Sequence, residues 1–129
     1  MASRTHDLSF ALNERLWRRV GKSDLRADGK LRPSSLRLQI SVVREKHGQL
    51  HSVPDATRPG VAETTASLVA DVQNEAVRVV CVDDPNEAVP GHTLVALVVH
   101  PGEEASQESI NATRQQVALR FQTLVVPTV

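Results

Sequence analysis

Few residues in this chain have the type and spacing to do chemistry, and they are scattered. His47, His51 and Asp55 stand four apart, a spacing that on a helix would line three ligands for a transition metal along one face. Gly48 and Pro54 interrupt any such helix, which leaves a polar loop whose histidines need no metal to be satisfied. Cys81 would serve as a nucleophile if His92 or His100 reached it from a neighbouring strand and lowered its thiol pKa. Its setting between Val80 and Val82 is instead that of a small, buried, inert side chain. His92 and His100 share one strand parity, but eight extended residues at about 3.3 Å each keep them roughly 25 Å apart, so they cannot share a site. Either is a candidate lone base, and either suits the end of a strand. Asp83 and Asp84 close an apolar run, where strand-end acids can hold a divalent cation, yet Asp-Asp-Pro-Asn is equally an ordinary turn.

A second group is basic. Arg15, Arg18, Arg19, Lys22, Arg32 and Arg37 surround Trp17, the minimal footprint of a nucleic-acid contact, with guanidinium groups for phosphates and one ring for a base. The chain has 15 basic and 15 acidic residues and no net charge, but they are unevenly placed. Residues 1 to 58 hold 12 Lys/Arg against 6 Asp/Glu, a balance of +6, and residues 59 to 129 hold 3 against 9, a balance of −6. Two oppositely charged halves can attract each other within the fold, between copies, or toward an external polyanion.

Several classes are excluded. Gly-rich phosphate loops, Ser-His-Asp spacings and HExxH are absent, as are helix-turn-helix, RRM, KH and zinc-finger signatures. The single cysteine rules out an intrachain disulfide and a multi-cysteine zinc site, and no cofactor is expected. The polar start Met1–Asp7 carries no apolar signal region, and the longest apolar run, Leu94–Val99, falls far short of the roughly 20 residues of a membrane helix. A cytoplasmic protein without a membrane partner is the expectation.

The elements that must position these residues are mostly strands. At 129 residues, 40% hydrophobic and 23% charged, the chain is expected to form a single domain, with a core over about residues 14–100. Only Phe10, Trp17 and Phe121 are aromatic, so that core is aliphatic. Residues 14–20 read as strand although both parities are apolar. Leu36, Leu38, Ile40 and Val42 alternate with polar neighbours, the pattern of a strand with one wet face. Residues 45–60, broken by Gly48, Pro54, Pro59 and Gly60, read as a long loop. After a short strand at 61–63, Thr64 or Thr65 caps a helix near 65–73 with Leu68, Val69 and Val72 as its stripe. Residues 77–82 form a buried strand, and 93–99, apolar on both faces, the middle of the sheet. Ser106 caps a C-terminal helix over about 106–124, where Ile110, Val117, Phe121 and Leu124 form a seam suited to a partner. The expected fold is α+β: four to five strands, mostly antiparallel or mixed, one short helix, and this amphipathic helix.

Leu16-Trp17-Arg18-Arg19-Val20, Pro33-Ser34-Ser35-Leu36, Ile40-Ser41-Val42, Asp83-Asp84-Pro85 and Pro90-Gly91-His92-Thr93-Leu94-Val95 occur in this order. The order resembles that of a small bacterial domain of unknown function, over about residues 14 to 98. The resemblance implies an autonomous prokaryotic domain and transfers no activity. The leading expectation is a non-enzymatic accessory or protein-interaction domain, a homo-oligomer or a partner's subunit, within a defence or toxin-antitoxin operon. A small metal- or His-dependent hydrolase or nuclease is the first alternative. A nucleic-acid-binding module using the basic N-terminal half is the second.

Overall fold

A computed structural model describes residues 9–127; the polar opening Met1–Asp7 lies outside the described residues. Six strands form one wholly antiparallel sheet: β1 (Arg15–Val20), β2 (Gln39–Arg44), β3 (Gly60–Thr65), β4 (Val77–Asp83), β5 (His92–Val99) and β6 (Gln122–Val125), in the order β4-β5-β2-β1-β3-β6. Helix α1 (Ala66–Ala70) joins β3 to β4, and α2 (Gln107–Leu119) joins β5 to β6. The fold is α+β, with six strands rather than four or five.

Strand alternation builds a core on one face of the sheet, where Leu16, Ile40, Val42, Ala62, Val77, Val79, Val95 and Leu97 meet Val69, Val117 and Phe121. Removing an aliphatic side chain of this size from water contributes about 1.5–3 kcal/mol, which lets such a core form almost without rings. The connection between β1 and β2 also helps to close it. Its turns are polar, with Gly29 at φ +82° in the tightest, but Leu25, Leu31 and Leu36 all enter the core. Across the sheet Trp17, Val61 and Val53 form a smaller cluster, and Val80, Ala96 and Val98 another. β5 is therefore buried on both faces as its composition requires, but with β4 alone on one side and four strands on the other it is not the middle of the sheet.

Both helices are shorter than their sequence patterns suggest. Thr65 caps α1, its Oγ1 accepting from Leu68 N at 3.4 Å, but the helix makes little more than one turn and leaves Leu68 exposed, outside the stripe. The Asn74 side chain then accepts from Ala76 N and Val77 N and donates to Ser109 O and Thr113 Oγ1, tying the start of β4 to α2. Ser106 caps α2, its Oγ accepting from Ser109 N at 3.1 Å. The C-terminal helix stops at Leu119 and not at 124, because residues 122–125 pair with β3. β3 would otherwise expose a row of unpaired backbone groups. Gly60 marks how closely β6 lies, since a Cβ there would sit 2.6 Å from Val125 O.

Candidate anion-binding cleft

The cleft originates in a short ladder. β1 pairs with β3 along all six residues but with β2 only at Leu16↔Arg44 and Trp17↔Val43. Beyond Trp17 the two strands part and leave backbone carbonyls in need of donors. Arg18 supplies one for Ser41 O at 3.0 Å, and its other terminal nitrogen donates to Ser35 O, in the connection between the strands, at 3.3 Å. Its guanidinium thereby stands in a cleft of about 950 Å³ between the parted strands, the Ser34–Gln39 strap and α2.

Four guanidinium groups line this cleft, from Arg18, Arg37, Arg58 and Arg114, against one carboxylate, Asp24. Arg114 is held in place, donating to Leu36 O at 3.2 Å and to Asn111 Oδ1 at 2.7 Å. The side chains of Arg37 and Arg58 make no hydrogen bond or ion pair with any described residue. Arg18 Nε is buried without a hydrogen-bond partner. Burial pushes the Arg18 pKa down, Asp24 draws it back up, and the positive charges of Arg58 and Arg37 push it down again, with a net lowering. Like charges around a partly desolvated cation are unfavourable until an anion joins them. Ser41, Arg18 and Arg58 also border an adjoining groove of about 240 Å³, walled by Val43, Val53, Val89 and His92.

The residues singled out from the sequence fare differently. Arg18 and Arg37 line the cleft, whereas Arg15 faces Glu45 and Glu63 at 3.9 Å each. Arg19 is bound to Val53 O and Asp55, and Arg32 Nε donates to Leu25 O. Trp17 is 4% exposed, its indole N–H donating to Glu63 Oε1 at 2.8 Å, and what remains accessible of it lines the adjoining groove. No sequence signal joins Arg58 and Arg114 to this group, because they lie 40 and 96 positions after Arg18 in the chain, one in a loop and one on a helix.

Asp83, the last residue of β4, and Asp84 just beyond it have different partners. Asp83 Oδ1 lies 3.4 Å from Arg44, while Asp84 meets His92, whose Nδ1 lies 2.9 Å from Asp84 O and 3.2 Å from Asp84 Oδ2. His47 and His51 are exposed in a loop that carries only a 3-10 turn, Leu50–Ser52. Asp55 is occupied by Arg19, Thr57 and the Arg58 N–H. Among the described residues no group of three or more His, Cys, Asp or Glu side chains is placed to hold a metal ion. Cys81 is fully buried in the main core; burial and the Glu14 charge push its thiol up to about 12 against the pull of Arg44, which makes it inert. His100 Nε2 lies 2.9 Å from Asn74 O, at the far end of β5 from His92.

The expected partner seam on the last helix is not available. Val117 and Phe121 are spent on the chain's own core, Ile110 packs partly against it, and Leu124 stands on β6. The amphipathic period was real, but it described packing against the sheet.

A buried ion pair, which no sequence pattern announces, is the other polar centre. Arg44, 1% exposed, makes two hydrogen bonds to Glu14, at 2.8 and 2.7 Å, and two more to Ser9, with its guanidinium 3.8 Å from the Phe10 ring centroid. Every polar atom of this pair works within the fold, at the opposite end of β2 from Gln39 and the cleft.

Comparison with family models, curated proteins and solved structures finds no match to this chain, and so lends no support to the resemblance over residues 14 to 98. Among the described residues no helix is long and apolar enough to cross a membrane.

Proposed function

We propose that this protein acts by binding a phosphate-bearing ligand in the cleft lined by Arg18, Arg37, Arg58 and Arg114. The observation that carries the reading is the excess of guanidinium over carboxylate in one cleft, four against one, with two of the four unengaged by any described residue. Guanidinium is the side-chain group best matched to phosphate, through paired N–H donors in one plane. The basic N-terminal half supplies three of the four arginines, Arg18 and Arg37 among those singled out from the sequence and Arg58 beside them. The hydrolase alternative retains only the Asp84–His92 pair, since Cys81 is locked in the core and the His47–Asp55 loop gathers no ligands.

Calorimetric titration with inorganic pyrophosphate tests the proposal. Binding should occur and weaken several-fold between low and physiological ionic strength, as screening of exposed charge requires. Absence of binding at millimolar pyrophosphate, or an affinity flat in salt, overturns it.

A second reading keeps the association role but moves it to another surface. Leu119, Leu124, Val125 and Val126 are 39–60% exposed around the edge strand β6, and an open apolar edge is a template for pairing with a second copy. Light scattering across a concentration series should show a dimer that Val125→Lys abolishes; a monomer at all concentrations removes this reading.

A further inference from the structure

Building on the phosphate-binding reading, we infer that the ligand is a nucleoside phosphate, its phosphates in the arginine cleft and its base in the adjoining groove. The two depressions adjoin where β1 and β2 part, sharing Arg18, Ser41 and Arg58 in their linings. They differ in chemistry: guanidinium and hydroxyl groups predominate in the cleft, whereas the groove sets Trp17, Val43, Val53 and Val89 beside Arg19 and the shared arginines, with His92 also in its lining. A ligand that fills both must carry anionic oxygens joined to a compact, largely apolar ring. The groove, about 240 Å³, suits one ring system and its sugar and not an extended chain.

His92 adds a polarity to that ring. Its Nδ1 faces two acceptors, Asp84 O at 2.9 Å and Asp84 Oδ2 at 3.2 Å. Both distances are satisfied when Nδ1 carries the hydrogen and donates. In the neutral ring Nε2 is then an acceptor, and no described residue donates to it. An acceptor in the groove's lining selects a base that presents an exocyclic amino group, such as adenine or cytosine, over one that presents a carbonyl in its place, such as uracil. Asp84 is therefore a positioning residue, acting through the tautomer it imposes.

Titration of the full chain with pyrophosphate, ADP, CDP and UDP tests this. ADP and CDP should bind about 10- to 100-fold tighter than pyrophosphate, as a base held against apolar side chains requires, and roughly fivefold tighter than UDP. His92→Leu keeps the apolar bulk, so it should abolish the preference over UDP and leave pyrophosphate affinity unchanged. Pyrophosphate binding as tightly as the three nucleotides overturns this inference while the anion-binding reading stands. No binding of any of the four overturns both. Persistence of the ADP preference in His92→Leu overturns the role of His92 alone.

Discussion

Replacing Arg44 by Leu lowers the stability of the fold by about 3–5 kcal/mol, because it strands the Glu14 carboxylate in a buried setting with its charge uncompensated. Thermal denaturation should register this as a fall in Tm of about 10–20 °C for a chain of this size. The paired substitution Arg44→Met with Glu14→Leu should recover most of the loss, since two well-packed apolar groups replace two buried charges. Asp83 loses its 3.4 Å contact with Arg44 as well, and its Oδ1 is buried, but with its side chain 28% exposed it is less enclosed than Glu14. An Arg44→Leu protein as stable as wild type would show that the 2.7 and 2.8 Å hydrogen bonds to Glu14 contribute little.

The same pair sets a pH dependence of known sign. Burial pushes the Glu14 carboxyl up, but hydrogen bonds from Arg44 and from the Lys46 N–H, and the charges of both residues, outweigh it and hold the pKa below its ordinary 4.5. Hydrogen bonding to Glu14 in turn holds Arg44 above its ordinary value, against burial, so it stays charged throughout. A depressed carboxyl pKa contributes stability that is fully present above the unfolded value and is lost as pH falls through the folded one. In Arg44→Leu the burial effect is left unopposed by Arg44, and protonation of Glu14 relieves the stranded charge. The stability gap between wild type and variant should therefore narrow as pH falls below 4.5, which denaturant midpoints at pH 7 and pH 4 would measure. A gap constant over that range would remove Glu14 as the group responsible.

Reversing two charges in the cleft, Arg37→Glu with Arg58→Glu, should weaken pyrophosphate binding by at least about 100-fold, since each reversal removes a charge-assisted donor and adds a repulsion. The same protein should fold with an unchanged or slightly raised Tm, because neither side chain bonds to a described residue and both push down the Arg18 pKa. Reversal of Lys30, which does not line the cleft, should have only a small effect through net charge. Equal losses from the Lys30 and the cleft reversals would mean that binding is diffuse electrostatics rather than a site.

These expectations rest on different kinds of information. The alternation over β2, the β-branched run of β4, the two-sided burial of β5 and the capping residues Thr65 and Ser106 were legible in the sequence, because each depends on neighbours one to four positions away. The end of α2 was not: Phe121 and Leu124 continue a helical period as well as they begin a strand, and only the exposed edge of β3 decides between the two. The basic character of residues 15–37 was legible as well, but not which arginines would meet. Arg18 turns into the cleft because β1 and β2 part after two residue pairs, and Arg58 and Arg114 join it from positions 40 and 96 places later. The sequence by itself determined the first five strands, the caps, the aliphatic core and the separation of charge, all of them short-range or compositional. Only the tertiary structure decided where charge would be neutralised, as at Arg44 and Glu14, and where like charges would be gathered, as among Arg18, Arg37, Arg58 and Arg114. A residue's electrostatic surroundings are set by whatever the fold brings within a few ångströms, and sequence distance carries almost no information about that.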